Sequence, residues 1–191
     1  VKVQARKNID LGLYKGEIVV ILGPSGSGKS TLLNLIGGMD KPSRGEIYFK
    51  NMALHKANPR ELTLYRRNEV GFVFQFYNLM PNLTALENIS LAVQISKNPL
   101  SAIKLLEQVG LKDRAAMAKN TSLLLCDEHT GALDYKTSIQ ILRLLKDFSL
   151  SYKKTVAIIT HNTAIAKIAD RILFLKDGYL DNIKINTKPC M

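Results

Sequence analysis

The segment at residues 23–31 combines glycines, one lysine and several hydroxyl side chains at a spacing that suits phosphate chemistry. Its sequence, GPSGSGKST, fits the pattern G-x-x-x-x-G-K-[ST]. Glycines let a backbone curl until consecutive N–H groups point inward, and such a concave surface binds phosphate oxygens. In this pattern the lysine reaches the β- and γ-phosphates and the next hydroxyl ligates Mg²⁺. The predicted nucleotide-binding residues are Gly23, Pro24, Ser25, Gly26, Ser27, Gly28, Lys29, Ser30 and Thr31.

Two adjacent carboxylates end an apolar run later in the chain. Asp127 and Glu128 directly follow LLLC at 123–126. If a second parallel strand lies beside the phosphate loop, Asp127 is near Mg²⁺ and holds the metal through its water shell. Glu128 points elsewhere and can orient or deprotonate the water that attacks the γ-phosphate. A capped loop is the alternative, but an acid at the end of a buried run is costly without a partner.

Two further polar residues follow strand-like runs. Gln75 ends VGFVFQ, and its amide can touch both metal and water, whereas His161 ends TVAIITH, where an imidazole can contact the γ-phosphate. Each residue alone is typical of an ordinary loop, but their combination with the loop and the acids favours chemistry. We therefore predict Glu128, His161 and Gln75 as catalytic residues, and Ser30, Gln75 and Asp127 as metal ligands.

Short apolar runs alternate with helical patterns, and these elements must position the polar residues. The predicted strands are rich in Val, Ile and Phe and are bounded by turn residues; they lie at 17–22, 46–49, 70–74, 122–127, 155–160 and 171–178. The predicted helices lie at 29–36, 84–95, 100–109 and 134–148. This alternation is typical of an α/β domain with a mostly parallel, covered sheet. An almost wholly helical stretch at about 76–118 predicts a subdomain inserted between two strands.

The composition indicates an ordinary globular chain. Its 191 residues are 46% hydrophobic and 23% charged, and the net charge of +11 favours anionic partners such as nucleotide phosphates, a lipid surface or nucleic acid. No zinc or aromatic spacing of a nucleic-acid module is present, so no nucleic acid is expected. No apolar run approaches the roughly 20 residues needed to cross a bilayer. Without an apolar signal core at the N-terminus, Cys126 and Cys190 are expected to be reduced thiols of a cytosolic protein.

Together these motifs resemble the ATP-binding subunit of ABC transporters. The strings that match are GPSGSGKST, VGFVFQFYNLMPNLTALENI, LLLCDEHTGALD and AIITHN, in this order. The residues around Gln75 are similar to the branch that serves lipoprotein release, macrolide efflux and antimicrobial-peptide export. The resemblance implies a P-loop NTPase fold with a small N-terminal β part and a truncated helical subdomain. Residues 1–191 would form one ATP-binding domain.

The resemblance also implies a role for each site residue. Residues 23–31 would be the Walker A loop, Gln75 the Q-loop glutamine and His161 the switch histidine. Asp127 and Glu128 would be the Walker B aspartate and the catalytic glutamate. The implied reaction is hydrolysis of ATP to ADP and phosphate, with ATP and Mg²⁺ bound, and it would drive export across the membrane.

Partners and location follow from the same resemblance. The family forms a head-to-tail dimer on two ATP molecules, here a homodimer or a heterodimer with another ATP-binding subunit, and residues 131–134 would be its D-loop. Transmembrane permease subunits dock near the Q-loop, and Phe76, Tyr77, Leu79 and Met80 are candidates for that contact or for local loop packing. The expected location is cytoplasmic, peripheral on the inner face of the plasma membrane.

One element of the family pattern is not found. The family has a Leu-Ser-Gly-Gly-Gln signature at the head of a helix, whose amides bind the γ-phosphate held by the other subunit. Residues 108–114 are similar to the segment before it, and residues 116–128 to the segment after it. About 20–30 residues are therefore expected to be absent. Such a chain would bind Mg²⁺-ATP but would not hydrolyse it alone at a transporter-like rate.

Smaller departures accompany this one. His129 stands where the family usually has proline, and Gly23 follows only 22 residues of chain. The aromatic residue that stacks on adenine is therefore expected to be missing, and Tyr14 is too close to the loop to replace it with assurance. The chain begins with Val1, which suits a fragment or an alternative start.

Several alternatives stay open. The missing segment is either omitted from the sequence as given, deleted in the gene, or supplied by an intact partner subunit. The chain as a whole is either an exporter ATPase, a soluble P-loop kinase that transfers phosphate to a nucleotide, or a non-catalytic ATP-dependent binding module. The strings DEHTGALD and ITHN argue against the kinase, which does not need them.

Overall fold

The structure, a computed structural model, describes residues 9–73, 87, 121–127 and 135–187. The strands in these ranges are β1 (Ile18–Leu22), β2 (Tyr48–Phe49), β3 (Met52–Ala53), β4 (Val70–Val73), β5 (Leu123–Asp127), β6 (Thr155–Thr160), β7 (Arg171–Lys176) and β8 (Tyr179–Ile185). The helices are α1 (Lys29–Ile36), α2 (Pro59–Asn68), α3 (Tyr135–Tyr152) and a short 3₁₀ helix (Ile165–Ile168).

Six of the strands form one sheet in the order β4-β5-β6-β1-β7-β8. The first five strands pair in parallel, and β8 pairs antiparallel with β7. β2 and β3 form a separate antiparallel hairpin, which is the small β part predicted in the N-terminal region. The predicted α/β fold with a mostly parallel sheet is confirmed.

Both faces of the sheet are buried under helices. Every residue of β1 and β6 is buried, as is usual for strands covered on two sides. Ile21 belongs to the cluster that contains Leu33 of α1, whereas Val20 belongs to the opposite cluster with Leu145 of α3. Helices pack on both faces of β1 and therefore hold this strand in place at the centre of the domain.

An ion pair connects the amino-terminal ends of β1 and β7. Arg171 Nε lies 2.7 Å from Glu17 Oε2, and Arg171 Nη2 lies 2.7 Å from Glu17 Oε1. The two side chains are only 14% and 10% exposed. This two-point contact joins the start of β7 to the residue before β1, so it helps to set the register of the strand that leads into the phosphate loop.

Most predicted elements are present with small shifts of their ends. Helix α1 has the predicted bounds, and β1, β4, β5 and β6 agree with prediction to within one residue. The strand predicted at 171–178 is wrong at its end, because β7 stops at Lys176. Asp177 (φ 48°) and Gly178 (φ 84°) form a tight turn into β8. The strand predicted at 46–49 is shorter, with only Tyr48 and Phe49 paired.

Helix α2 is an element that the sequence prediction missed. Its start is marked by a capping box: the Glu61 N–H donates to Asn58 Oδ1 at 3.0 Å, and the Asn58 N–H donates to Glu61 Oε2 at 2.7 Å. Pro59 stands at the first helical position, where it is well tolerated. The helix is mostly polar, and it packs through the buried residues Leu62 and Tyr65.

Some predictions lie outside the described residues. Apart from residue 87, these are the helices at 84–95 and 100–109 and the truncated subdomain at about 76–118. The extent of the domain, 1–191, also stays a prediction. Across the described ranges, each helix is too short or too polar to cross a bilayer.

Candidate nucleotide-binding site

The phosphate loop connects the central strand to the helix that covers it. β1 ends at Leu22, and α1 begins at Lys29. A Cβ atom added to Gly23 would overlap the carbonyl oxygen of Leu175 and the hydroxyl of Ser27. Only glycine therefore allows the loop to leave β1 so close to β7, which keeps the loop at the carboxyl edge of the sheet.

Gly28 shapes the start of α1. It adopts a left-handed conformation (φ 90°, ψ 14°) as the N-cap, and no side chain caps the helix there. The first turn also contains no acidic residue. The N–H groups of a first helical turn have no partner within the helix, and they carry the positive end of its dipole. They are therefore available to an anion bound in the loop.

Lys29 lies inside the curve of the loop. Its side chain is buried, and Nζ donates to the carbonyl oxygens of Gly23 and Pro24, both at 2.8 Å. These bonds hold the ammonium group over the loop, where it can be shared with phosphate oxygens. The Ser27 residue is 2% exposed, and its Oγ has no hydrogen-bond partner in the described part of the chain. A buried hydroxyl of this kind can accept or donate a hydrogen bond to a group that binds in the loop.

The residues present fit a nucleotide with its metal. The Ser30 side chain is exposed in the first turn of α1, so its hydroxyl can ligate a cation next to the phosphates. Thr31 follows it and is half-buried. The loop and the first turn of α1 therefore contain backbone amides, one ammonium group and one accessible hydroxyl, which are the kinds of group that bind Mg²⁺-ATP.

The opposite end of α1 is held by α2. Tyr65 is 3% exposed, and its hydroxyl donates to the Ile36 carbonyl oxygen at 2.7 Å. Burial, followed by the charge of Glu69, raises the pKa of Tyr65, so the hydroxyl stays a donor. Arg66 Nη1 donates to the Gly38 carbonyl oxygen at 2.6 Å. The missed helix thus fixes the helix that presents the phosphate loop.

Asp127 is the last residue of β5 and is half-buried. Alternation along the strand places it on the face of Leu125, which belongs to the same cluster as Leu33 of α1. Its strand is parallel to the loop strand but not paired with it, because β6 stands between β5 and β1. Asp127 is level with Ile159, and Ile159 with Ile21. The axes of β5 and β1 are therefore about 10 Å apart.

His161 lies at the neighbouring strand end. Thr160, the last residue of β6, is the register partner of Leu22, the last residue of β1. His161 and Gly23 come next on parallel strands, so the histidine is placed at the edge of the phosphate loop. Its side chain is exposed to solvent.

The remaining predicted residues lie outside the described part of the chain. These are Gln75, Glu128, the D-loop at 131–134 and the docking candidates at 76–80. Thr160 and Asn162 were not among the predicted site residues, but their side chains shape the turn that carries His161. The residue types at these two positions could have predicted this role, because Ser, Thr and Asn side chains next to a tight turn accept hydrogen bonds from nearby N–H groups.

Comparison with known proteins decides the family. The family model described as "ABC transporter" matches residues 6–124. The chain belongs to the ABC transporter family. It is an ATP-binding domain of that family, with the P-loop cassette fold.

Relatives of this ABC cassette are found in archaea and bacteria. The uncharacterized ABC transporter ATP-binding protein MJ0796 of Methanocaldococcus jannaschii is 40% identical over 207 aligned positions, which cover 94% of this chain and 88% of MJ0796. The putative ABC transporter ATP-binding protein MG065 homolog of Mycoplasma pneumoniae is 40% identical over 205 positions. These cover 96% of the cassette but 44% of the relative, so the chain spans less than half of that protein.

Solved structures resemble the cassette closely. Two dimeric structures of MJ0796 superpose with a TM-score of 0.85, at 37% and 38% identity, and cover 95% of this chain and 90% of theirs. One of them is described as a post-hydrolysis state bound to ADP and Pi.

Proposed function

We propose that this ATP-binding subunit holds Mg²⁺-ATP in residues 23–31 and couples its binding and hydrolysis to export through transmembrane permease subunits. The observation that carries the proposal is the loop geometry, in which Lys29 is folded over the loop beside the open start of α1. The net charge of +11 also favours an anionic ligand. ADP and Pi in a dimeric structure of a 37% identical cassette support the same chemistry.

Different residues of the chain bind the phosphates, hold the cation and position the attacking water. Lys29 and the first-turn amides of α1 bind the phosphates, and Ser30 with Asp127 holds the cation. Mg²⁺ held by these residues would offset charge on the β- and γ-phosphates. Glu128 orients the attacking water or accepts its proton, and His161 contacts the terminal phosphate. Gln75, whose amide can touch both metal and water, completes the set.

We further propose that the chain lacks a signature segment between Arg114 and Ala116. The alignment with MJ0796 has 207 positions, although 94% of 191 residues is only about 180 residues. About 27 positions of that alignment therefore have no residue in this chain. The alignment with the Mycoplasma pneumoniae relative has 205 positions and covers 96% of this chain, about 183 residues. About 22 positions of that alignment therefore have no residue in this chain. Both values support a missing segment of the expected length.

A cassette without this segment has a specific defect. Phosphoryl transfer depends on positioning and on charge stabilisation. Loss of one helix end that binds the γ-phosphate would slow hydrolysis by about 10²–10³-fold, judged from the loss of a single oxyanion donor. The second candidate is therefore a hydrolysis-deficient ATP-binding module, which works alone or beside an intact cassette. Residence at the inner face of the plasma membrane stays a prediction for both.

Calorimetric titration of Mg²⁺-ATP into the purified chain tests nucleotide binding. The native chain should release heat at one site, and Lys29→Ala should abolish the signal because the variant removes the buried ammonium group of the loop. Lys56→Ala is the matched control, since it removes the same charge at an exposed position in the turn that follows β3. Unchanged affinity in Lys29→Ala would overturn the assignment of the loop.

Steady-state phosphate release separates the candidates. ATP hydrolysis by the chain alone at several turnovers per second would refute the proposed loss of hydrolysis. ATP binding without hydrolysis would support it. Transfer of labelled phosphate from ATP to a nucleoside monophosphate would instead indicate a kinase.

A further inference from the structure

Hydrogen bonds from two side chains close the turn after β6. The Asn162 backbone N–H donates to Thr160 Oγ1 at 3.0 Å, and Asn162 Oδ1 accepts from the Ala164 N–H at 2.9 Å. The Ile165 N–H donates to the Asn162 carbonyl oxygen at 3.3 Å. These bonds fix the backbone on both sides of His161.

Both ends of the turn are anchored in the core. Thr160 is 1% exposed, and it lies in register with Leu22 at the end of β1. On the other side, Ile165 (2% exposed), which begins the 3₁₀ helix, and Ala169 (0%), which follows it, belong to the buried cluster that contains Val20 and Leu145. Residues 161–164 are exposed between these anchors. Restricting the backbone of such a stretch costs conformational entropy, and the side-chain bonds offset part of that cost.

We propose that Thr160 and Asn162 are positioning residues that hold the His161 imidazole at the phosphate loop. The inference rests on the proposed function, because it requires His161 to contact the terminal phosphate of the nucleotide. His161 and Gly23 follow register partners on strands about 4.8 Å apart. A small rotation of the His161 backbone therefore moves its ring away from the phosphate. Thr160 and Asn162 act only through the backbone of His161.

Two matched pairs of variants isolate the side-chain bonds. Asn162→Leu keeps the size of the side chain and removes the oxygen that accepts from Ala164, whereas Asn162→Asp keeps that oxygen. Thr160→Val keeps the buried shape and removes the hydroxyl, whereas Thr160→Ser keeps the hydroxyl. The exposed position of Asn162 makes its variants safe for folding, and thermal unfolding of each variant checks this.

The measured quantity is the preference for a terminal phosphate, defined as the ratio of the affinity for a non-hydrolysable ATP analogue to the affinity for ADP. Calorimetry gives the affinities for a non-hydrolysable ATP analogue and for ADP, both with Mg²⁺, on the full chain. His161→Gln should lower the preference for the analogue about three- to tenfold, the value of one hydrogen bond. Asn162→Leu and Thr160→Val should lower it by a similar factor and leave ADP affinity unchanged. Asn162→Asp and Thr160→Ser should retain it. The double variant His161→Gln/Asn162→Leu should be no worse than His161→Gln alone.

The outcomes separate this inference from the function on which it rests. An Asn162→Leu chain that keeps the full preference, or that loses affinity for both nucleotides equally, overturns the positioning role and leaves nucleotide binding intact. Additive losses in the double variant overturn it as well, because the two residues would then act independently. A native chain that binds neither nucleotide overturns the proposed function and the inference together.

Discussion

Thr160 of β6 is the register partner of Leu22 of β1, so the two strands end at the same level. The chain continues from Leu22 into the phosphate loop and from Thr160 into His161. Asp127, one strand further away, is level with the residue before Thr160. The carboxyl edge of the sheet therefore sets the phosphate loop, the histidine and the aspartate in a row.

The left-handed conformation of Gly28 should be required for nucleotide binding. Gly28→Ala forces a side chain into φ 90°, at a cost of about 1–2 kcal/mol. If the helix start shifts to relieve that strain, the first-turn amides no longer converge on the phosphates. We expect at least about a tenfold loss of Mg²⁺-ATP affinity by calorimetry, the loss of about one charge-assisted hydrogen bond.

Gly45 supplies the control for that variant. It has a similar φ of 88°, and a Cβ atom there would meet open space. Gly45→Ala should therefore lower the thermal stability to a similar extent with no change in ATP affinity. Equal losses of affinity in both variants would show that instability, and not loop shape, is responsible.

Asp127 should matter for the metal and not for the nucleotide itself. Asp127→Asn removes a carboxylate charge at the end of β5, so the gain in ATP affinity on adding Mg²⁺ should fall about tenfold or more. Affinity for ATP in EDTA should be unchanged. Asp147→Asn, an exposed aspartate on α3, is the control and should keep the full effect of Mg²⁺. A normal Mg²⁺ effect in Asp127→Asn would remove this residue from the metal site.

Restoring the missing segment should restore catalysis. The corresponding segment of MJ0796 is inserted between Arg114 and Ala116, and phosphate release is measured at saturating ATP. We expect a rise of about 10²-fold or more, since the insertion returns a helix end to the closed site. A glycine-serine insertion of equal length is the control. A similar rise with that control, or no rise with either, would contradict the proposed defect.

The ion pair between Lys50 and Glu69 should give a stability difference that depends on pH. Their charged atoms lie 3.0 Å apart, with the side chains 63% and 30% exposed. Burial alone raises the pKa of Glu69, but hydrogen bonds from Ser122 and Lys50 and the charges of Lys50 and Lys154 outweigh it, so the pKa is lowered. The folded chain then binds fewer protons than the unfolded chain, and the stabilisation is lost as pH falls through the folded pKa.

Lys50→Met should therefore lower the free energy of unfolding at neutral pH by about 0.2–1 kcal/mol, the range for exposed pairs. Because the pKa of Glu69 is lowered, part of the difference should disappear only in acid, at a pH below the usual range of a glutamate pKa, where Glu69 becomes protonated. Urea denaturation at both pH values measures it, with Lys56→Met as the control for loss of an exposed lysine. A difference that does not change with pH would mean that Lys50 stabilises the hairpin through packing over Phe49.

The bounds of single helices and strands were more predictable from the sequence than the order of the strands in the sheet. Helix α1 was predicted with its observed bounds because glycines stand on both sides of it, at positions 28 and 37. Periodicity shows which side chains are buried but not which strands pair, so the position of β6 between β5 and β1 was not predictable. A strand–helix pattern leaves this order open.

Two missed elements had different causes. Helix α2 has a polar surface and lacks a long apolar face, although Asn58, Pro59 and Glu61 marked its start. Strand β8 is exposed along most of its length, so burial contributes little to its pattern. The Asp177-Gly178 turn was the available signal for a hairpin at that point.

That last strand affects how association of the purified chain must be judged. β8 is one of the two outer strands of the described sheet, and Tyr179, Ile183 and Ile185 are 44%, 42% and 69% exposed. Open strand edges with apolar side chains are templates for adding another strand. Particle mass should thus be recorded first in nucleotide-free buffer, as only an increase above that baseline counts as ATP-driven pairing.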